Sequence, residues 1–431
     1  MSEVFHYRDG VLMVEEVPLA TIAAAVGTPA YVYSTAGMCA QLQALQTAFA
    51  GQRMMICYAI KANSNIAVIR TLANAGAVAE IVSGGERQKA LQAGVPADQI
   101  MFAGVAKSRD EMALALDAGI AQFNVESVPE LIALSEVAAS KKAKAPIAIR
   151  INPDVAAGTH EKISTGRRQD KFGIAYEQAG EVYAMAASLA GIEPIGVHLH
   201  IGSQIMSLAP FEAAYQRGAD LVRDLRANGV PIKRLDLGGG MGVRYRGDAR
   251  LDVDAYADLV RKITADLDVE LLLEPGRYLV AEAGAMIARV RYMKEGDERP
   301  FAILDAGMND LIRPALYDAY HEILPLDEAD PDAELQATDV VGPICESSDI
   351  FARGRSLPQL EAEDFVAFLG AGAYGAVMAS DYNTRPLAAE VLVDEDRFSV
   401  VRPRIEPAER FAHERLPEWL EMPSLERGRA C

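Results

Sequence analysis

The sequence predicts an α/β protein in which a TIM (β/α)8 barrel is joined to a C-terminal, mostly β domain that includes N-terminal strands. Eight short apolar segments alternate with helical segments over about 245 residues, the usual size of such a barrel. After residue 280 the alternation stops and short strand-like segments follow. The length of 431 residues also exceeds what one hydrophobic core usually holds, so two domains are expected.

The barrel strands are predicted from short apolar segments whose spacing leaves room for a helix between them. These eight segments are Met54–Ala62, Ala77–Ser83, Ile100–Gly104, Gln122–Ser127, Ile147–Asn152, Ile195–Ser203, Arg234–Gly240 and Glu270–Arg277. The helices predicted between them include Asn65–Gly76, Gly85–Gly94, Ser108–Gly119 and Val128–Ala139. Strands that alternate with helices pair in parallel through right-handed crossovers. An open doubly wound sheet is the alternative, and the count of eight favours the barrel.

One connection is longer than the others. Asp154–Ile174, rich in Gly, Arg and Lys, separates the fifth predicted strand from its helix. Long connections without regular structure are usually functional in compact domains. We therefore expect an insertion or lid beside the active site.

The second domain is predicted from strand-like segments with turn-like spacers. They are Ala285–Lys294, Phe301–Ala306, Asp339–Gly342, Asp364–Phe368 and Glu390–Asp394. Val11–Val14 and Ala30–Ser34 have the same character. We expect residues 1–35 to join this domain, residues 36–280 to form the barrel and residues 281–431 to form the β domain.

The charge of the chain argues against polyanionic partners. It has 42 basic and 61 acidic side chains, a net charge of −19. DNA, RNA and anionic membranes are bound through basic surfaces, so none of these is an expected partner. The polar first ten residues do not resemble a signal peptide, and the uncharged stretch between Glu16 and Arg53 is broken by Pro18, Gly27 and Pro29. That stretch predicts a buried strand and an amphipathic helix.

The cysteines indicate a reducing compartment. Cys39, Cys57, Cys345 and Cys431 are scattered and form no C-x-x-C pair. Scattered free thiols fit neither a disulfide scaffold nor a structural zinc site. We therefore expect a cytoplasmic protein.

In a TIM barrel the chemistry lies at the carboxyl ends of the strands, and the first strand ends at Lys61. A lysine among buried apolar residues is either paired with a carboxylate or functional, because an unpaired buried ammonium is costly. Desolvation lowers the pKa of such an amine and frees it to bond an aldehyde. The residue alone favours neither interpretation.

The sixth strand carries His198 and His200, which share one face because side chains alternate along a strand. Three interpretations compete: satisfied core histidines, a metal pair, or one ring stacked on a flat cofactor. A metal site needs further ligands at other strand ends. None of the other four histidines (His6, His160, His321 and His413) falls at a strand end, so the metal interpretation is the weaker one.

Glycines follow the seventh and eighth strands, in Leu237–Gly242 and Glu274–Arg277. Glycine lets the backbone approach an anion closely, and barrels often bind phosphate at these two loops. Arg277 can add a charge-assisted contact. The alternative is a plain tight turn, but the position in the barrel favours a phosphate site.

A lysine, a histidine, a phosphate site and a carboxylate therefore meet at one end of the barrel. Pyridoxal 5′-phosphate would use all four. Lys61 would bond its aldehyde, the glycines would hold the phosphate and His200 would cover the ring. The Glu274 carboxylate would face the pyridine nitrogen and keep it protonated.

These motifs resemble the alanine-racemase-like, fold-type III pyridoxal-phosphate enzymes, and within them the diaminopimelate decarboxylases. The resemblance runs from about residue 28 to residue 395, with the motifs in order. The similar segments are Tyr58–Asn65, Lys162–Ile174, His198–Gln204, Leu237–Gly242, Glu274–Arg277, Asp305–His321, Val340–Phe351 and Gly370–Ser380. The resemblance implies the same barrel with a β domain. It places ten residues around the cofactor: Lys61, His200, Ser203, Gly239, Gly240, Glu274, Pro275, Gly276, Arg277 and Tyr374.

For Cys345 the resemblance implies a general acid that protonates Cα after CO₂ leaves. A lone cysteine is otherwise more often an inert small hydrophobic residue. The resemblance also implies that Cys345 reaches the barrel of a neighbouring subunit, in a homodimer that shares its active sites. The sequence alone does not decide whether Cys345 serves its own chain or the partner.

The resemblance implies decarboxylation of meso-2,6-diaminopimelate to L-lysine and CO₂, the last step of lysine biosynthesis. Arg313 is suited to a distal carboxylate and Glu346 to a distal ammonium. Arg277, Tyr317 and Tyr374 complete the expected substrate residues. A related decarboxylase of ornithine, arginine or carboxynorspermidine type is the alternative within the family. A non-catalytic pyridoxal-phosphate carrier and a zinc hydrolase using His198 and His200 are the alternatives outside it.

Overall fold

The computed structural model describes residues 4–156, 171–247 and 250–420. Within these ranges eight parallel strands pair side by side, and the last pairs with the first to close a barrel. The predicted TIM barrel is therefore confirmed. Its strands are Met54–Ala59, Val78–Ile81, Ile100–Phe102, Gln122–Val125, Ala145–Asn152, Ile192–Leu199, Arg234–Asp236 and Glu270–Leu273. A two-residue strand, Ile174–Ala175, extends the pairing beside Ile151 and Asn152.

Helices connect the barrel strands, shorter helices lie in the β-rich part, and most begin at a residue that can accept a backbone hydrogen bond. The side chains of Ser83, Ser108 and Ser127 each accept a hydrogen bond from a backbone N–H in the first turn. The helices are Leu19–Val26, Thr35–Ala48, Ile66–Asn74, Gly84–Gln92, Arg109–Ala118, Val128–Ser140, Ala179–Ser188, Leu208–Ala227, Val253–Thr264, Arg277–Val280, Arg313–Tyr317 and Pro407–Phe411. Short 3-10 turns lie at Ile60–Ala62, Ala97–Gln99, Tyr176–Gln178, Ala376–Met378, Tyr382–Thr384 and Glu418–Leu420.

Several barrel strands end earlier than predicted, and this moves the candidate residues off the strands. The first strand ends at Ala59, so Lys61 lies in the 3-10 turn that follows. The sixth ends at Leu199, just before His200. The apolar pattern ran on because the turns leaving the barrel are also buried, as Ile60 shows by being fully buried. Arg277 begins a short helix instead of ending the eighth strand.

The second domain is built on a mixed sheet that includes an N-terminal strand. Ala30–Ser34 pairs antiparallel with Gly284–Lys294 and parallel with Ala389–Asp394. The other strands of the sheet are Phe301–Leu304, Ile323–Pro325, Leu335–Val341, Ile350–Pro358, Phe365–Leu369 and Arg397–Arg402. Phe5–Arg8, Val11–Val14 and Val17–Pro18 form a separate three-stranded sheet. A β-rich domain is thus confirmed, whereas its boundaries at residues 35 and 280 stay predictions.

Close backbone contacts hold the β domain against the mouth of the barrel. A Cβ at Gly372 would lie 1.9 Å from the carbonyl oxygen of Val280, so only glycine fits there. The Asn63 side-chain amide donates to the carbonyl of Gly372 over 3.1 Å. The backbone N–H of Tyr374 donates to the carbonyl of Ala62 over 2.8 Å. These contacts bring Tyr374 beside Lys61.

Among the described residues, no helix combines the length and the apolar character needed to cross a bilayer. Cys39, Cys57 and Cys345 are free thiols. Most of the predicted insertion between residues 154 and 174, as well as Cys431, lies outside the described ranges.

Candidate active site

A cavity of about 340 Å³ lies where the barrel mouth meets the β domain. Its lining residues are Lys61, His200, Ser203, Gln204, Tyr245, Arg277, Arg313, Tyr317, Ala319, Tyr320 and Tyr374. The described lining contains three cations, Lys61, Arg277 and Arg313, and no carboxylate. A cavity with this charge attracts a ligand that carries several negative groups.

Lys61 is paired with a buried carboxylate that sequence reasoning did not identify. Its Nζ lies 2.9 Å from Oε2 of Glu80, which is fully buried at the second strand. Burial disfavours the charged amine, but the carboxylates of Glu80 and Glu274 outweigh it, and the pKa of Lys61 is raised above its usual value. The expectation of a lowered lysine pKa is therefore wrong for the chain without bound cofactor, because it left out Glu80.

His200 is held in one orientation by the glycine loop. The backbone N–H of Gly239 donates to Nδ1 of His200 over 3.2 Å, so Nδ1 carries no proton. Burial and the nearby charge of Arg150 hold the pKa of His200 well below its usual value. The ring is therefore neutral, with its remaining proton on Nε2.

The glycine loops pack against neighbouring backbone too closely to accept a side chain at Gly239 or Gly240. A Cβ at Gly239 would lie 2.2 Å from the carbonyl oxygen of Glu274, and one at Gly240 would lie 2.6 Å from that of Gly202. Gly276 packs less tightly, with a Cβ there lying 3.1 Å from Ala62 and 3.2 Å from Ala59. This backbone cradle, beside an amine and two guanidinium groups, fits a phosphorylated aldehyde such as pyridoxal 5′-phosphate.

Arg277 and Arg313 share a cluster of aromatic rings at the other side of the cavity. Arg277 donates to Ser203 Oγ over 3.2 Å and to the Tyr245 hydroxyl over 2.9 Å. Its guanidinium carbon lies 4.8 Å from the ring centre of Tyr374. Arg313 lies 4.7 Å from the ring centre of Tyr245. Burial raises the pKa of the Tyr245 hydroxyl, but the two arginines outweigh it and lower that pKa overall.

A buried histidine orients Arg313. Nδ1 of His321 lies 2.8 Å from the carbonyl oxygen of Leu369, so this nitrogen donates. Nε2 then accepts from Nη1 of Arg313 at 2.9 Å. Burial and the charge of Arg313 lower the pKa of His321 to about 3, which keeps the ring neutral. The guanidinium therefore has a fixed direction inside the cavity.

His198 turns away from the cavity and contacts Glu274 instead. Its Nε2 lies 3.2 Å from Oε2 of Glu274, and one atom each of His198, Asp236 and Glu274 lie within 4.8 Å of one another. Sequence reasoning weakened the metal interpretation by the positions of the other four histidines and did not examine Asp236 as a ligand. The Asn124 amide donates to both carboxylates, over 3.0 Å to Glu274 and 3.4 Å to Asp236. An N–H group between the two acids fits hydrogen bonding better than metal ligation.

Two predicted residues lie away from the cavity of their own chain. Cys345 and Glu346 are exposed and do not belong to its lining. The Asn383 amide donates to the thiol of Cys345 over 3.3 Å, and the Tyr382 hydroxyl donates to Glu346 over 2.5 Å. Of the predicted site residues, the cavity lining brings together Lys61, His200, Ser203, Arg277, Arg313, Tyr317 and Tyr374. The described lining also lacks five predicted barrel residues: Gly239, Gly240, Glu274, Pro275 and Gly276.

Sequence reasoning missed Glu80, Tyr245 and Tyr320. Glu80 lies inside a predicted strand, in the segment Val78–Ile81, where its acidic side chain was the available signal. Tyr245 follows the glycine loop after a gap of two residues, and nothing in the local pattern distinguishes it. Tyr320 was within the segment noted for resemblance but was not selected.

Comparison with known families gives one matching family over most of the barrel. Residues 36–281 match the family described as pyridoxal-dependent decarboxylase, pyridoxal binding domain. This match covers more than half of the chain. The cofactor predicted from Lys61, the glycine loops and Glu274 is thereby supported.

Individual relatives match over nearly the whole length. The diaminopimelate decarboxylase of Zymomonas mobilis is 45% identical over 421 residues, 96% of this chain and 99% of the relative. That of Pseudomonas fluorescens is 48% identical over 415 residues, with the same coverage of both chains. The crystal structure of diaminopimelate decarboxylase from M. jannaschii in complex with L-lysine superposes with a TM-score of 0.92 and 36% identity. It covers 97% of this chain and 99% of that structure.

Proposed function

The chain belongs to the diaminopimelate decarboxylase family of pyridoxal-dependent decarboxylases, and from this premise we propose that it converts meso-2,6-diaminopimelate to L-lysine and CO₂. Both relatives are named for this carboxy-lyase activity, and this chain aligns with nearly their full length. In cells that make lysine from diaminopimelate, this reaction is the last step.

The observation that carries the substrate assignment is the charge of the cavity. Three cations line it, and the described lining contains no carboxylate. One cation bonds the cofactor and one lies beside the phosphate loops, which leaves Arg313 for a further anion. Diaminopimelate keeps a second carboxylate at its far end, whereas ornithine and arginine do not. Those two substrates end in a cation, so they would gain nothing from an arginine held by His321 and Tyr245.

The cofactor, when bound, supplies an electron sink for the electron pair that CO₂ leaves behind at Cα. We assign its aldehyde to Lys61, its ring face to His200 and its ring nitrogen to Glu274. The phosphate group is assigned to the cradle, which consists of Ser203, Gly239, Gly240, Pro275, Gly276, Arg277 and Tyr374.

Glu80 has a role in preparing Lys61. An ammonium cannot bond an aldehyde, so Lys61 must first lose a proton. Glu80 accepts hydrogen bonds from Nζ through both carboxylate oxygens, at 2.9 and 3.1 Å. Burial raises the pKa of Glu80 and the charge of Lys61 lowers it, while the pKa of Lys61 itself is raised. In the chain without cofactor Glu80 therefore holds the protonated amine in position and does not take its proton, which must leave when the aldehyde binds.

The substrate is oriented by residues at both ends of the cavity. Arg313, with Arg277, Tyr317 and Tyr374 nearby, would bind the distal carboxylate and exclude water from it. Glu346, from a second copy of the chain, would receive the distal ammonium. Because both the distal carboxylate and the distal ammonium would be bound, the site would favour diaminopimelate over lysine-like diamines.

Cys345 is proposed as the donor of a proton to Cα, acting in the barrel of a partner subunit. Its thiol and Glu346 are exposed on one turn of the β domain and lie outside the cavity of their own chain. A homodimer that exchanges these turns would complete two sites. The free thiols of Cys39, Cys57 and Cys345 support a reducing compartment, which we propose to be the cytoplasm.

The test is a substrate comparison with the purified chain and added pyridoxal 5′-phosphate. CO₂ release should be rapid with meso-diaminopimelate, and L-lysine should appear in equal amount. L-ornithine, L-arginine and carboxynorspermidine should release little CO₂ under the same conditions. Faster release from one of these three would replace the proposed substrate with that compound.

A further inference from the structure

Three buried titratable side chains lie beneath the cavity floor. His198 belongs to the sixth strand, Asp236 ends the seventh, and Glu274 directly follows the eighth. Their side chains are between 0% and 4% exposed, and one polar atom from each lies within 4.8 Å of the other two. Two carboxyl groups this close and this buried do not both ionise, so they share one proton.

The hydrogen bonds are unequal and favour placing that proton on Asp236. Glu274 has a side-chain donor on each oxygen: His198 Nε2 at 3.2 Å on Oε2 and Asn124 Nδ2 at 3.0 Å on Oε1. Asp236 accepts from the backbone N–H of Gly238 at 3.0 Å and only a longer contact, 3.4 Å, from Asn124. Donors aimed at a carboxylate stabilise its ionised form. Nδ1 of His198 has no hydrogen-bond partner in the described part of the chain, so Glu274 alone fixes the ring.

We propose that His198 and Asp236 are positioning residues that keep Glu274 ionised, His198 by donating to it and Asp236 by carrying the proton the two acids share. The inference rests on the proposed role of Glu274 opposite the cofactor's ring nitrogen. A neutral glutamic acid in that place would not hold a positive charge on the ring. His198 therefore determines that Glu274, and not Asp236, is the ionised acid of the pair.

The electrostatics of the cluster agree with this geometry. Burial raises the pKa of Asp236 to about 8, and the neighbouring Glu274 charge adds to the effect. Burial also acts to raise the pKa of Glu274, but the contact with His198 outweighs it and the pKa falls to about 2. The other charged or titratable groups that face the cluster are Cys57, Lys61, Glu80, Arg150, His200 and Tyr215.

The test is the apparent Kd of the full-length chain for pyridoxal 5′-phosphate at pH 7, measured by absorbance after the cofactor has been removed and added back. His198→Leu removes the donor and should weaken binding about tenfold, the lower end for a charged hydrogen bond. Asp236→Asn should change the Kd less than about twofold, because an amide resembles the neutral acid already present. His198→Gln, which keeps a donor, should lie between His198→Leu and the unmodified chain.

The double variant separates this proposal from simple structural damage. With Asp236→Asn in place only one ionisable carboxyl remains, so Glu274 ionises without a competitor. Adding Asp236→Asn to His198→Leu should therefore restore most of the lost affinity. If the two substitutions only damaged the structure independently, the affinity losses of the single variants would add up in the double variant. Tyr183→Phe is the matched control, because its hydroxyl donates to Gly196 on the same strand at 2.6 Å. It should leave the Kd unchanged.

Two other results are diagnostic. Unchanged cofactor affinity and absorbance in Glu274→Gln would show that Glu274 does not contact the cofactor. That result would overturn the assignment of Glu274 to the ring nitrogen. A large loss in Glu274→Gln with none in His198→Leu, or additive losses in the double variant, would overturn only the positioning role. If His198→Leu does not fold, His198→Gln with and without Asp236→Asn gives the same comparison.

Discussion

The barrel mouth and the turn that carries Cys345 are organised in opposite ways. At the mouth, Lys61, His200 and Glu274 are each held by at least one hydrogen bond to a buried or backbone group of the same chain. On the turn, Cys345 and Glu346 are exposed. Cys345 accepts a hydrogen bond from Asn383, and Glu346 accepts one from Tyr382. One half of the proposed site is thus completed by its own fold, and the other is presented outward.

This difference indicates how the work of the site is divided. The mouth binds a cofactor that must stay fixed through many turnovers, so preorganised contacts suit it. In the proposed function the turn would supply a proton and a distal contact, which are needed only when substrate is bound. Variants of the cofactor residues Lys61, His200 and Glu274 should therefore affect cofactor and substrate together, whereas variants at the turn should spare the cofactor.

The largest effect is expected at Lys61. Lys61→Ala should abolish activity and covalent attachment of the cofactor while the fold survives, because the residue lies in a turn and not in the barrel core. Borohydride reduction of the loaded, unmodified chain followed by peptide mapping should label Lys61. A label on another lysine, such as Lys107 or Lys171, would contradict the assignment.

The second largest effect is expected at Cys345, where a variant should lower activity without affecting cofactor binding. Cys345→Ser should lower kcat by about 10²- to 10⁴-fold, the usual contribution of a positioned proton donor, since a hydroxyl is a much weaker acid than a thiol. The Kd for pyridoxal 5′-phosphate should not change. Full activity in Cys345→Ala would remove the thiol from the mechanism.

A variant of Arg313 should affect substrate affinity and cofactor affinity to different extents, although the residue lines the same cavity as Lys61 and His200. Arg313→Ala should weaken diaminopimelate by about 10- to 150-fold, as expected for loss of a charged hydrogen bond. Cofactor affinity should change far less. Lysine-like diamines should already be poor ligands of the unmodified chain, and equal losses for cofactor and substrate would mean that Arg313 is structural.

The smallest effect is a change in the pH dependence of stability. Burial raises the pKa of Asp236 from 3.8 to about 8 in the folded chain. Between these values the folded protein holds a proton that the unfolded chain has released, so this residue makes the free energy of unfolding fall as pH rises. Asp236→Asn should flatten that slope in urea unfolding between about pH 5 and pH 8.

A surface aspartate provides the control for that measurement. Hydrogen bonding to Arg223 lowers the pKa of Asp266 to about 2, so its titration is complete below pH 5. Asp266→Asn should leave the slope above pH 5 unchanged. An unchanged slope in Asp236→Asn would mean that Asp236 is already ionised in the folded protein.

Local sequence patterns predicted the parts of this molecule that depend on neighbours in the chain. The alternation of apolar and helical segments predicted the barrel. The glycines after two strands are required by close backbone contacts at Gly239 and Gly240, whereas the phosphate site predicted there stays a prediction. Three strands of the β domain were missed, because segments such as Ile350–Pro358 contain arginines and a glycine and have exposed positions. Edge positions of this kind do not need an apolar pattern.

Contacts between distant segments were the part that the pattern could not supply. The Lys61–Glu80 pair, the His198–Glu274 contact and the Arg313–His321 contact each depend on which strand ends meet in space. The resemblance to a known family identified Tyr317 and Tyr374 but carried no information on Tyr245. These contacts could not be predicted because they depend on which strands are neighbours in the barrel, which the residue types alone do not specify.

The central claim is that one chain supplies the mouth and another supplies the turn. The most direct test mixes an inactive Lys61→Ala chain with an inactive Cys345→Ala chain after subunit exchange has been demonstrated independently. In a mixed dimer one site would carry both native residues, so random mixing should restore about a quarter of the unmodified activity. No recovery in exchanged dimers would show that Lys61 and Cys345 act within the same chain and would contradict the account.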